Sequence, residues 1–160
     1  MTRVYISIGS NVEPQRHVAL ALASLRERFG VIEVSPIYRA AAVGFEGDDF
    51  LNLVVALETD MSVDAVDREL DAIESIAGRT RNAERFAPRT LDLDLLLFGD
   101  AIIDRDGIRV PRRELTQYAF MLKPLVDIAG LHRHPQDGRS FAELLEAGNF
   151  AGQRCERIDA

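Results

Sequence analysis

Asp92 and Asp94 stand two residues apart in the run Thr90-Leu91-Asp92-Leu93-Asp94-Leu95-Leu96-Leu97-Phe98. A strand turns alternate side chains to opposite faces, so the spacing predicts both carboxylates on one face and Leu91, Leu93, Leu95 and Leu97 on the other. Two like charges held together in an apolar strand repel and lose hydration, a conflict that a hard divalent cation resolves. Mg²⁺ takes one or two carboxylates together with substrate phosphates, so the pair suggests metal-assisted phosphate chemistry. A bare Asp-x-Asp equally suits a solvated sheet face, and its neighbours decide between the two readings. Between Arg79 and Arg89 lie four arginines, Arg79, Arg81, Arg85 and Arg89, against Glu84, a local balance of 4 − 1 = +3 in a chain of net charge −7. Guanidinium forks match phosphate oxygens in pairs, and positioning with charge stabilisation dominates phosphoryl-type transfer. Carboxylates and arginines together form a nucleotide-phosphate set.

Other residues qualify this reading. Asn52 interrupts the apolar run Phe50-Leu51-Asn52-Leu53-Val54-Val55. A buried amide must satisfy two donors and an acceptor, either on a neighbouring loop or on the edge of a heterocycle. Phe50 and Phe120 are core residues by default and stacking surfaces for a flat ligand otherwise. His132 and His134 have a metal-compatible spacing, but Pro135 and Gly138 place them in a loop, where a structural role is the better expectation. His17 is expected on a helix surface. No GxxxxGK[ST] phosphate loop is present.

The composition limits the classes of protein that this chain can be. With 160 residues, 47% apolar and 28% charged, the expectation is one globular domain spanning 1–160. The single cysteine, Cys155, cannot form an internal disulfide, which suits a reducing compartment. Residues 1–10 lack a signal-peptide pattern, and no apolar run approaches the roughly 20 residues of a membrane span. A cytoplasmic monomer without membrane or nucleic-acid partners is therefore expected. The acidic balance opposes binding to a phosphate backbone.

The chemistry must be held by elements with readable periods. Val4 to Ile8 predicts a strand, and Gly9-Ser10-Asn11 with Pro14 a turn into a helix whose face is Val18, Leu22, Leu25 and Phe29. Val31 to Tyr38 predicts a second strand, with Pro36 marking an edge or bulge, and Ala40 to Asp49 a connection. Phe50 to Glu58 reads as a third strand. Ser62 is placed to cap a helix with a core face of Val66, Leu70, Ile73 and Ala77 and a polar face holding Asp67, Asp71 and Glu74. Thr90 to Phe98 completes a βαββαβ order. That order is the ferredoxin-like α+β fold, an antiparallel sheet with both helices on one face and the other face free for a ligand. A hairpin around Asp104 to Gly107 and helices over Glu114 to Gly130 and Ser140 to Ala147 are expected beyond this core.

The segment Gly78-Arg79-x-Arg81-x4-Phe86-x-Pro88-Arg89-Thr90-Leu91-Asp92-Leu93-Asp94 resembles that of the 6-hydroxymethyl-7,8-dihydropterin pyrophosphokinases. Ile8-Gly9-Ser10-Asn11, Phe50-Leu51-Asn52 and Phe120-Met121-Leu122 extend the resemblance over nearly the whole chain. It implies transfer of diphosphate from ATP to the pterin hydroxymethyl group, releasing AMP, as a step of folate synthesis. By the same resemblance Asp92 and Asp94 bind two Mg²⁺ ions. Arg79 and Arg89 hold the moving diphosphate, and Asp92 assists the hydroxyl. Glu74, Arg81 and Arg112 lie with the nucleotide. Asn52 reads the pterin, Phe120 and Phe50 border it, and the backbone near Ala40 and Val43 completes the pocket. The loops 40–49 and 82–88 correspond to covers that close over the substrates.

The chain departs from that pattern at Arg112-Arg113, where histidine is common after the proline, and at Ala40-Ala41-Ala42, where a Thr-Pro-Pro-like stretch is usual. Phe86 replaces a frequent tryptophan, Asp71 a frequent glutamine and Tyr118 an occasional arginine. These departures keep a paralogue in view, acting on another pterin or binding nucleotide and pterin without catalysis. An RNA-binding βαββαβ module would need sheet aromatics and a basic surface, and the chain offers neither clearly.

Overall fold

The computed structural model describes residues 1–42, 47–78 and 91–158. Strand β1 (Thr2–Ser10) lies between β4 (Phe50–Thr59) and β5 (Asp92–Phe98), antiparallel to both. Helices α1 (Pro14–Phe29) and α2 (Val63–Ile76) return the chain between strands, and the short strands β2 (Ile32–Val34) and β3 (Tyr38–Ala40) both pair with β4. This is the expected ferredoxin-like arrangement. It continues through the β6–β7 hairpin (Ile103–Arg105 and Ile108–Val110), helices α3 (Ala119–Ala129) and α4 (Phe141–Ala147), and β8 (Cys155–Arg157) on the outer edge of β3.

The helices form where their caps and apolar stripes require. The Ser62 hydroxyl accepts from the Ala65 amide at 3.2 Å, and Val66, Leu70 and Ile73 are buried against the sheet. Val18, Ala21 and Leu25 do the same from α1, so one core fills the space between the sheet and these two helices. An ion pair between Arg28 and Glu69 links the helices outside that core. His17 is buried rather than on the surface, its Nδ1 2.6 Å from the Val12 carbonyl, and that contact ties the first helical turn to the loop before it.

Pro36 acts as the sequence suggests. It splits the second strand into β2 and β3, and the five residues from Val34 to Tyr38 oppose the four from Val55 to Asn52, a bulge. The Ser35 hydroxyl accepts from the Val54 amide at 2.9 Å and holds the bulge to β4.

The sheet itself corrects two further expectations. The face opposite α1 and α2 is not free along its length. At one end α3 and α4 bury Tyr5, Val54, Ala56, Leu96 and Leu97 in a second core with Met121, Leu122, Leu125 and Phe141. Tyr38 fixes α3 across the sheet through a 2.5 Å hydrogen bond to Asp127. Leu97, expected beside Leu95, belongs to this second core, because the β1–β5 register shifts between Tyr5 and Ile6 and leaves Leu96 as an extra residue. The bulge sends Leu91, Leu93 and Leu95 to one core and Leu96 and Leu97 to the other.

The hairpin turns on Asp106 and Gly107, both with positive φ, as a two-residue turn with the twist of its strands requires. The predicted helix from Glu114 divides into a 3₁₀ turn (Arg113–Thr116) and α3, which begins at Ala119.

Candidate active site

The uncovered end of the second sheet face collects the predicted site residues by register alone. Asp92 lies opposite Gly9 and Asp94 opposite Ser7, while Gly9 lies opposite Asn52 on its other side. Asn52, Gly9 and Asp92 therefore form one row across three strands. At the usual strand spacing the outer two are roughly 10 Å apart. A Cβ at Gly9 would sit 2.9 Å from Asn52 Oδ1, so only glycine leaves room for the Asn52 amide to lie over β1. Asn52 is 3% exposed, and among the described residues its Nδ2 has no hydrogen-bond partner. A buried amide donor without a partner costs about 1–3 kcal/mol, and a ligand acceptor would relieve it.

Asp92 and Asp94 are half-buried on β5. Arg112 stands 3.5 Å from Asp94, and its buried Nε, 3.5 Å from a Glu114 carboxylate oxygen, has no hydrogen bond among the described residues. Among the described residues no group of three His, Cys, Asp or Glu side chains is placed to hold a metal. The donor set at β5 is thus two carboxylates of hard oxygen, which suits Mg²⁺ with its remaining positions filled by water and phosphate.

Beside β5 is a cavity of about 130 Å³ bordered by Asp67, Asp71, Glu74, Asp94, Arg109 and Arg112. Glu74, expected on the polar face of α2, is 4% exposed, and its Oε2 accepts from the Leu93 amide at 2.9 Å. It gives the Leu93 amide a partner on the outer edge of β5. Burial pushes the Asp67 carboxyl above its ordinary range, with the charges of Asp71 and Asp64 acting in the same direction. Sequence reasoning missed Arg109 and the contribution of Asp67, because only the hairpin brings β7 against α2.

The predicted ring-binding residues meet at the opposite edge of the row. Ala40 and Phe120 border one cavity of about 250 Å³, and Phe50 lies opposite Ala40 in the sheet. Tyr118 stacks on Phe120 with centroids 5.2 Å apart and planes at 22°, a flat aromatic wall that no sequence period revealed. Val43, Arg79, Arg81 and Arg89 lie outside the described residues.

His132 and His134 take structural roles. His132 stacks on Phe141 at 6.0 Å, and the His134 Nδ1 accepts from the Gln136 and Asp137 amides, both at 3.1 Å.

Comparisons with known proteins agree with this geometry. Residues 5–130 match the family described as 7,8-dihydro-6-hydroxymethylpterin-pyrophosphokinase (HPPK). The 2-amino-4-hydroxy-6-hydroxymethyldihydropteridine pyrophosphokinase of Pseudomonas aeruginosa is 41% identical over 155 residues, 94% of each chain. The enzyme of the same name from Haemophilus influenzae is 34% identical over 133 residues, 81% of this chain and 82% of its own. Among solved structures, an HPPK-DHPS in complex with substrates superposes with a TM-score of 0.73 at 12% identity, over 91% of this chain and 43% of that longer one. The Plasmodium falciparum HPPK-DHPS gives 0.70 at 13% identity over the same shares. Fold likeness and sequence identity together establish that the chain belongs to the 7,8-dihydro-6-hydroxymethylpterin-pyrophosphokinase family.

Proposed function

We propose that this chain transfers the diphosphate group of ATP to the hydroxymethyl oxygen of 6-hydroxymethyl-7,8-dihydropterin, giving AMP and the pterin diphosphate, a step of folate biosynthesis. The observation that carries the reading is the row Asn52–Gly9–Asp92, which sets an amide donor without a partner among the described residues in the same sheet row as Asp92, two strands away, with Asp94 beside it. Asn52 Nδ2 donates to an acceptor on the pterin edge, and Phe120 supplies the face on which the ring stacks. A ring held there directs its substituent along the row towards Asp92.

Two Mg²⁺ ions, bound through Asp92 and Asp94, would neutralise the charge of the ATP phosphates. Asp92 accepts the proton that the hydroxymethyl oxygen loses as its bond to the β-phosphorus forms. The bond from the β-phosphorus to the oxygen bridging it to the α-phosphorus breaks, and AMP leaves with that oxygen. Arg79 and Arg89 hold the moving diphosphate, with Arg81 and Arg112 on the remaining phosphate oxygens. The cavity of Asp67, Asp71 and Glu74 receives the nucleoside, whose hydroxyl and amino hydrogens suit carboxylate acceptors. Backbone groups at Ala40 and Val43, with Phe50, complete the pterin pocket. The departures at Ala40-Ala41-Ala42 and Phe86 fall outside the Asp92, Asp94 and Asn52 set.

We also propose that 1–160 act as a single domain, as a monomer in the cytoplasm and without nucleic-acid partners. The acidic net charge of −7 supports the last point, and no helix among the described residues is long and apolar enough to cross a membrane. The deciding experiment mixes the protein with ATP, Mg²⁺ and 6-hydroxymethyl-7,8-dihydropterin and follows phosphorus NMR. AMP with a pterin diphosphate is the expected result, whereas ADP with a pterin monophosphate overturns the reading.

A further inference from the structure

The cavity of about 250 Å³ that Ala40 and Phe120 border has a third side, formed by the chain as it enters β8. Gln153, Arg154 and Cys155 follow one another there, and each ties a different part of the surround. The Gln153 side chain grips the start of α3: its Oε1 accepts from the Ala119 amide at 2.8 Å, and its Nε2 donates to the Gln117 carbonyl at 2.9 Å. A helix leaves its first amides without partners inside the helix, and Tyr118, at the cap position, supplies no side-chain acceptor. Gln153 thus caps α3 from a distant part of the chain, one residue before Phe120. Cys155 lies opposite Ala40 in the sheet, and its carbonyl accepts from Lys123 Nζ of α3 at 3.0 Å.

Arg154 holds the chain both where it leaves β3 and where it returns to β4. Its carbonyl accepts from the Ala41 amide at 3.2 Å, one residue beyond the paired part of β3 and β8. Its guanidinium meets Asp49 as a fork, two nitrogens standing 2.7 and 2.5 Å from the two carboxylate oxygens. Next to Asp49, the Asp48 carbonyl accepts from Asn11 Nδ2 at 3.2 Å. Residues 40–42 are all alanine, so no proline ring fixes the backbone there, and Ala41 has the amide hydrogen that the contact needs. The Arg154–Asp49 pair is partly exposed, 50% and 30% at the two side chains, and such pairs contribute little to global stability. A planar two-point contact does fix direction, and this one fixes the entry to β4 directly before Phe50.

We infer that Gln153 and Arg154 are positioning residues of this pocket: they set the separation between residues 40–42 and Phe120 into which a flat ring has to fit. Separation matters for stacking, because an added gap of about 0.5–1 Å already forfeits a quarter to a half of the dispersion attraction. Since the ring is that of the proposed pterin substrate, this role rests on that reading, yet neither residue is among the groups assigned to the transfer.

The test is calorimetric binding of 6-hydroxymethyl-7,8-dihydropterin to the full chain, with Mg²⁺ and an ATP analogue whose bridge between the α- and β-phosphorus is methylene, so that no transfer occurs. Arg154→Ala and Asp49→Asn should each raise the pterin Kd about five- to tenfold through lost preorganisation. Their double variant should be no worse than either single one, because both remove the same contact. Arg154→Lys, which keeps a cation but not the fork, should recover part of the affinity. Gln153→Ala should raise the pterin Kd by a separate route and add to Arg154→Ala. In all of these variants the affinity for the nucleotide analogue should stay at the parent value. An unchanged pterin Kd in Arg154→Ala and Gln153→Ala would overturn the role, and so would equal losses for pterin and nucleotide analogue, which mean general loosening. A parent chain that binds no pterin overturns the functional reading and this role with it. AMP formation from ATP itself is read separately, and its absence beside normal pterin binding overturns the transfer alone.

Discussion

One face of the sheet serves two purposes at its two ends, and the change occurs within two residues along each strand. At one end Tyr5, Val54 and Ala56 lie under α3 with Leu96 and Leu97 and are all at most 4% exposed. At the other end the next residues on the same strands and the same face are Ser7 and Asn52, followed across the sheet by Asp94 and Asp92. The covered end is almost wholly apolar, and its buried polar atom without a hydrogen bond among the described residues is Nε2 of His132, packed against Tyr5 and Phe141 and 3.3 Å from Asp100. The open end keeps a buried amide donor that has no partner among the described residues, and two carboxylates side by side. An identical backbone thus carries stability at one end and ligand chemistry at the other, and the position of α3 draws the boundary.

The sharpest way to break this division is Asp94→Ala. Turnover should fall by about a thousandfold or more, because a metal and its charge stabilisation are lost together. The melting temperature should hold, since Asp94 is half-buried and outside both apolar cores. A variant with near-normal turnover would remove the metal from the argument.

Leu122→Ala probes the other end. Leu122 is fully buried between α3 and the sheet, so truncation should cost about 2–5 kcal/mol of stability, read by denaturant unfolding. At a temperature where the variant remains folded, kcat should stay within a few-fold of the parent. A large loss of kcat at full folding would mean that α3 positions the site as well as covering the face.

The boundary itself is tested at Asn52 and Gly9. Asn52→Ala removes a donor that the free protein leaves unpartnered, so pterin KM should rise by about tenfold while the melting temperature holds or increases. Gly9→Ala leaves the amide in place but pushes it aside from 2.9 Å, and should reproduce the KM effect with a modest loss of stability. If Asn52→Ala melts well below the parent, the amide is a structural tie and the open end begins further along the sheet.

Much of this division could be read in the sequence, and what could not has physical reasons. Local periods located α1, α2 and β5, and the two-residue spacing of Asp92 and Asp94 placed them on one face. The bulge at Leu96 was not visible, because Leu95-Leu96-Leu97 offers apolar side chains to either face and only pairing with β1 decides which goes where. Glu74 looked like surface by its helical position, and its burial follows from the exposed edge of β5, a tertiary fact. Tyr118 and Phe120 stack only because the 3₁₀ turn stops before α3 and resets the angle of the chain. Strand β8 has three residues, two of them charged, and is set by the free edge of β3 rather than by its own sequence.

The smallest expected effect separates the two ends by pH. His134 is buried against Phe141 of the covering layer, with ring centroids 5.8 Å apart, and burial pushes its pKa below the ordinary value, the nearby Asp137 opposing this more weakly. Its Nδ1 accepts two amide hydrogens, so the neutral ring carries its proton on Nε2, and protonation of Nδ1 would break both bonds. A folded pKa below the unfolded one gives stability that is fully present above the unfolded value of about 6.5 and is lost as pH falls through the folded value. The melting temperature should therefore drop by a few degrees between pH 7 and pH 5, and His134→Gln should flatten that part of the profile. If the slope survives in His134→Gln but disappears in Asp94→Ala, acid sensitivity belongs to the carboxylates of the open end, and the covering layer contributes none of it.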